Sequence, residues 1–209
     1  NGIVYLINKV LPPLDYRSVM GPVKVDQGLK IFNLAMGDNY CQFQYYLRSL
    51  KSTFNFFVTP DEYMKDYLDP ISAGYSGVRM NSIYDFRLNT NTNTIEAVVR
   101  NAATGDSIGI NTSGGISGAL TSRLTDILNQ QTLVGEIIPG QEWYITKGYA
   151  PIRLVWAGDK VVAAQGAGNA SPIDVIDEYD KTNGATRYLN GILRTSPYSM
   201  YNILRQHAG

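Results

Sequence analysis

The side chains that could carry catalysis in this chain are few. One histidine, His207, and one cysteine, Cys41, occur among 209 residues. A serine nucleophile needs a base beside it, and His207, two residues from the last, is the only imidazole on offer, so a Ser-His-Asp arrangement is not expected. One Cys with one His cannot build the common zinc sites. Cys41 stands near Tyr40, Phe43, Tyr46 and Leu47 and reads as a small buried hydrophobe rather than a reactive thiol. The carboxylates that stand together are Asp61-Glu62 and the run Asp174, Asp177, Glu178. The first pair reads as a helix start, with Glu62 as part of a cap. The second reads as the polar edge of an apolar strand, and no calcium-loop pattern accompanies it. A glycan hydrolase would need two carboxyl groups about 5–10 Å apart in a cleft, and ranks last among the functional readings. The stretch Gly105–Gly118 is glycine-rich but has neither a G-K-[ST] ending nor a G-x-G-x-x-G core, so it reads as a surface loop rather than a phosphate cradle. Asn111-Thr112-Ser113 and Asn169-Ala170-Ser171 have the form of N-glycosylation triplets, which matter only on a eukaryotic secretory route. No metal and no cofactor is expected.

The aromatic residues point to recognition instead. Tyrosine is the compositional outlier at 15 residues, with two tryptophans, Trp143 and Trp156. Flat aromatic faces stack on sugar rings when exposed, which makes Trp143, Tyr144, Tyr149 and Trp156 candidate contact residues. Lys+Arg and Asp+Glu are both 18, a net charge of zero. That excludes the basic excess of a nucleic-acid binder and gives no attraction to an anionic membrane. No run of 18 apolar residues exists to span a bilayer.

Periodicity supplies the elements that must position these residues. Phe54–Val58 is aromatic and β-branched, a strand packed on both faces. Thr59, Pro60 and Glu62 form a capping-box pattern that opens a helix from Pro60 to about Leu68. Leu29, Phe32 and Met36 fit one helical face; Phe43, Tyr46, Leu47 and Leu50 fit a second; Leu120, Leu124, Ile127 and Leu128 fit a third. Ile83–Leu88 and Thr94–Arg100 flank the polar run Asn89–Asn93 and read as a hairpin. Further strands are expected at Thr132–Ile137, Glu142–Thr146, Ile152–Trp156, Lys160–Ala164 and Ile173–Tyr179. Helices first and strands afterwards argue for α+β, a helical layer packed beside a β-sandwich or wedge.

The two ends of the chain also resemble one another. Asn1-Gly2 with Asn8 and Leu11 aligns with Asn183-Gly184, Asn190 and Leu193. Such a period suggests tandem domains. The strand followed by Thr59-Pro60-Asp61-Glu62-Tyr63 resembles the strand-to-helix signature of fasciclin-like domains, which usually reads Pro-Thr-Asp where this chain has Thr-Pro-Asp. Arg123–Gly135 is similar to the second signature of that family, with Gln131 in place of its histidine. Both end segments look like the family's closing motif and lack its His and Asp. Tyr144–Gly148, Pro151-Ile152 and Ile173–Asp180, with the insert Ile83–Gly105, look like its bacterial surface-lipoprotein branch.

The resemblance covers roughly residues 13–194. It implies that residues 1–12 close a preceding fasciclin-like domain, 13–194 form one such domain, and 195–209 begin a following domain or linker. It implies a non-enzymatic adhesion or binding domain of a tandem surface protein, extracytoplasmic, at the cell surface as an outer-membrane lipoprotein or in the periplasm. The partners implied are an extracellular protein or glycan and neighbouring domains of the same chain, with no nucleic acid and no direct membrane insertion. In the family, adhesion is tied to the segment around the second-signature histidine, which carries over to Gln130, Gln131 and Thr132. The contact set expected is therefore Gln130, Gln131, Thr132, Trp143, Tyr144 and Tyr149. A structural spacer beside a polysaccharide-uptake system is the alternative reading.

Overall fold

The computed structural model of the chain describes residues 2, 13–72, 81–112 and 119–196. Segments 3–12 and 197–209, and His207 with them, lie outside the described residues. The architecture is mixed α and β and mostly sheet. In chain order the elements are α1 (Leu14–Arg17), α2 (Gly21–Val25), α3 (Lys30–Met36), α4 (Gln44–Leu47), β1 (Phe54–Val58), β2 (Tyr67–Leu68), β3 (Ser82–Asn89), β4 (Thr94–Asn101), β5 (Ser107–Thr112), α5 (Ala119–Gln130), β6 (Thr132–Val134), β7 (Trp143–Ile145), β8 (Pro151–Ala157), β9 (Lys160–Gly166), β10 (Ile173–Lys181) and β11 (Gly184–Leu189). Seven strands form one sheet in the order β6-β1-β11-β10-β9-β8-β7, and β2-β3-β4-β5 form a second. Among the described residues only β1 and β11 run parallel; the other pairings are antiparallel. The larger sheet curls until its two edges meet, where the Lys147 N–H just past β7 donates to the Thr132 carbonyl of β6 at 2.8 Å.

β1 shows why the sequence folds this way. All five of its side chains are buried. Strand alternation sends Phe54, Phe56 and Val58 into one core with Phe32, Met36, Leu120, Leu124, Ile127 and Leu128. It sends Phe57 into a second core, inside the curled sheet, with Leu133, Ile152, Leu154 and Leu189. Each such side chain contributes about 1.5–3 kcal/mol by leaving water. The dipeptide Asn183-Gly184 then locks the helices to the sheet. The Asn183 amide donates to the Leu47 and Ser49 carbonyls and accepts from the Val19 N–H. Gly184, at φ +129°, lies so close to β1 that a Cβ would fall 1.7 Å from the Phe54 carbonyl oxygen.

Several expectations are corrected. The helix from Pro60 to Leu68 is instead a single 3-10 turn, Asp61–Tyr63, followed by strand β2. Thr59 cannot cap it, because its hydroxyl points inward, donating to the Gly191 carbonyl at 2.8 Å and accepting from Gln131 Nε2 at 3.0 Å. Asp61 caps a different helix, accepting the Ile31 N–H of α3 at 3.0 Å. The loop expected at Gly105–Gly118 contains β5, paired along β4; residues 113–118 lie outside the described residues. Helix α4 ends at Leu47, short of Leu50.

Candidate functional site

The loop between β7 and β8, Thr146-Lys147-Gly148-Tyr149-Ala150, is the point where the candidate contact residues gather. The Thr146 N–H donates to the Ala150 carbonyl and the Tyr149 N–H to the Thr146 carbonyl, both at 2.9 Å. A hairpin closed this way needs one residue in the left-handed region, a place that glycine usually takes. Here Tyr149 takes it, at φ +60°. The glycine stands one residue earlier, for a different reason. The Gly148 N–H donates to the Asn129 carbonyl at 3.1 Å, and a Cβ at Gly148 would meet the Asn129 Cβ at 3.3 Å.

The loop is clamped on both sides. Besides those main-chain bonds to Asn129 and Thr132, the Thr146 hydroxyl donates to Gln130 Oε1 at 3.3 Å. The Lys147 ammonium donates to Asn129 Oδ1 at 2.8 Å and lies over the rings of Phe43 and Tyr46, 5.0 and 4.9 Å from their centroids. A cation and one N–H donor thus meet the carbonyl end of α5, where helical carbonyls have no partners of their own, and a second N–H meets the start of β6. The Tyr149 side chain has no hydrogen bond or ring contact among the described residues and stands 90% exposed. Tyr46 lies beside it, its hydroxyl pKa pushed up by burial and then by Tyr149. Tyr45, on the same short helix, is also exposed.

Trp143 and Ile145 project from the outer face of the edge strand, each 61% exposed. Tyr144, between them, turns toward the second core, and its hydroxyl bonds the main chain of Ile138 in both directions. Trp156 is half-buried, its indole N–H donating to the Gln141 carbonyl at 2.8 Å. Of the expected aromatic contacts, Trp143 and Tyr149 therefore face water.

Gln130, Gln131 and Thr132 do not. All three are buried and hold the frame. The Gln131 amide donates to the Phe57 carbonyl and the Thr59 hydroxyl, and the Thr132 hydroxyl donates to the Leu128 carbonyl. Their expected contact role is corrected on that ground: side chains sealed between α5, β1 and β6 cannot touch a partner in this fold. Tyr46 is hidden as a surface residue in the sequence because its spacing with Phe43, Leu47 and Leu50 has the period of a core-facing helix, and Tyr45 carries no periodic signal.

The other candidate chemistry resolves into structure. Asn169 is buried, donating to the Ile192 carbonyl and accepting from the Gly166 and Arg194 N–H groups, so that triplet presents no free amide. Asp174 accepts from Asn190, Asp177 from the Tyr179 hydroxyl, and Glu178 from Arg187. Among the described residues, no group of three or more His, Cys, Asp and Glu is placed to hold a metal ion, and no helix is long and apolar enough to cross a membrane. No protein-family model matches this chain, and no curated protein matches it.

Proposed function

We propose that this chain is a fasciclin-like binding domain that works outside the cytoplasm and holds a glycan through the aromatic surface at Tyr149 and Trp143. The observation that carries this reading is Tyr149 itself. A non-glycine residue in the left-handed region costs about 1 kcal/mol or more. Among the described residues its side chain makes no hydrogen bond or ring contact to offset that, yet its loop is fixed at several points beneath it. Because the loop that carries the ring is already ordered, stacking a sugar face on it adds no loop-ordering cost. Strand β1 leading into Thr59-Pro60-Asp61-Glu62, α5 leading into β6, and the Asn183-Gly184 lock support the family part of the reading.

The test is thermal unfolding of the domain against a panel of neutral and acidic glycans, with matrix proteins as a second arm. A ligand at about a hundred times its dissociation constant adds about 2.7 kcal/mol of stability. Tyr149→Gly is expected to abolish that shift while leaving the free domain as stable as the parent, or up to about 1 kcal/mol more so. Trp143→Ala is expected to weaken binding without unfolding. A Tyr149→Gly domain that unfolds, or that still binds, rules out the contact role. No shift with any glycan, but one with a matrix protein, moves the partner class to protein.

A further inference from the structure

The seven-stranded sheet is split. β9 and β10 pair only at Ile173–Ala164 and Asp174–Ala163. Beyond that point β10 continues along β11 as far as Lys181, while β9 stays with β8. From Val175 to Lys181, then, one edge of β10 has no strand partner among the described residues. The cleft between the two strands has a volume of about 280 Å³ and is lined by Asp159, Lys160 and Val161 on one side, Glu178 and Asp180 on the other, and Arg187. Residues 176–180 are exposed on both faces of the ribbon, so the edge is open to solvent. The Glu178 N–H donates to the carboxylate of its own neighbour, Asp177, at 2.9 Å.

The charge on this edge is one-sided. β10 carries Asp174, Asp177, Glu178 and Asp180 against Lys181. Asp159 and Lys160 offset one another, Glu178 is paired with Arg187, and Asp174 is bonded to Asn190. Asp177 and Asp180 have no cationic partner among the described residues. They stand three residues apart, and so on opposite faces of the strand. We infer that the free edge of β10 accepts an extended, basic segment of a partner protein as an added strand. Main-chain bonds would give the affinity, and lysines or arginines on both faces would answer Asp177 and Asp180. The same carboxylates repel other strand edges, which is how an open edge is kept from pairing indiscriminately. This surface is distinct from Tyr149 and Trp143, and the inference does not depend on the glycan reading.

The experiment titrates the whole domain with a labelled peptide of about ten residues, alternating lysine with valine or threonine, at low ionic strength. Fluorescence anisotropy reads binding, and amide hydrogen exchange reads the strand. The expected result is saturable binding, slowed exchange across residues 176–180, and at least about tenfold weaker binding to the doubly substituted Asp177→Asn, Asp180→Asn protein. Thermal unfolding of that variant checks that the fold is kept. A peptide of equal charge with alternate residues changed to proline, which removes N–H donors, is expected not to bind. No saturable binding at millimolar peptide overturns the inference. So does equal binding of the proline peptide, which would mean charge attraction alone, or binding that ignores both substitutions.

Discussion

Thr59 shows how much a single hydroxyl decides here. It joins three segments: its own chain after β1, Gln131 after α5, and Gly191 after β11. Thr59→Val keeps the shape and removes the hydroxyl, leaving a buried carbonyl and a buried amide donor with one partner fewer. The expected cost is about 2 kcal/mol, read as a lower urea midpoint with an unchanged slope. Asp126 on α5 illustrates the opposite sign. Burial pushes its carboxyl above the usual 3.8, Arg123 opposes that, and Asp69 adds to it. The folded state therefore holds this proton to a higher pH than the unfolded chain does, and near neutrality the ionised group costs stability. Asp126→Asn is expected to be more stable than the parent at about pH 7. That advantage should shrink as pH falls through the folded pKa and vanish below the unfolded one. Urea unfolding at about pH 7 and about pH 3.5 measures both. A variant less stable at neutrality would mean that the attraction to Arg123 outweighs burial.

Among the elements, β11 is the most constrained. It pairs with β1 and β10 on its two edges and is buried along nearly its whole length. Its first residue, Gly184, has no room for a Cβ against the Phe54 main chain. Because the obstacle is backbone rather than a mobile side chain, Gly184→Ala must push β1 and β11 apart. A loss of at least about 3 kcal/mol is expected, large enough that circular dichroism could report an unfolded chain. A mild effect would show that the parallel pair yields more than close packing suggests.

At the scale of the whole molecule, among the described residues one ion pair ties the four-stranded sheet to the rest. Arg123 of α5 meets Asp69, just past β2, at 2.7 Å and again at 2.8 Å, with the two side chains only 9% and 3% exposed. Buried pairs are costly to break singly and much less so to replace together. Arg123→Met alone is expected to cost about 3–5 kcal/mol, and adding Asp69→Leu to recover most of it. A double variant as unstable as the single one would show that the pair itself, rather than the stranded charge, holds the two parts together.

Strand β1, the β3–β4 hairpin, α5 and the run from β7 to β10 were legible in the sequence, because each has a local period with one or two apolar faces and a turn at its end. Strand β11 hid in Gly-Ala-Thr-Arg-Tyr-Leu, which is buried all round and so has no alternation to read. Helices α1 and α2, of four and five residues, are too short for a period to reveal them, whereas α4 was legible from Phe43, Tyr46 and Leu47. At the candidate site the sequence by itself determined the residue types: the exposed aromatics Trp143 and Tyr149, and the glycine beside the latter. Only the tertiary structure decided which side chains face water. Thr59 carries the local signal of a helix cap, and Gln131 is given a contact role only by family resemblance, yet segments distant in sequence close over both, and buried polar groups must then pair with one another. The curl of the larger sheet likewise depends on where β7 meets β6, a contact between strand edges that no local pattern encodes.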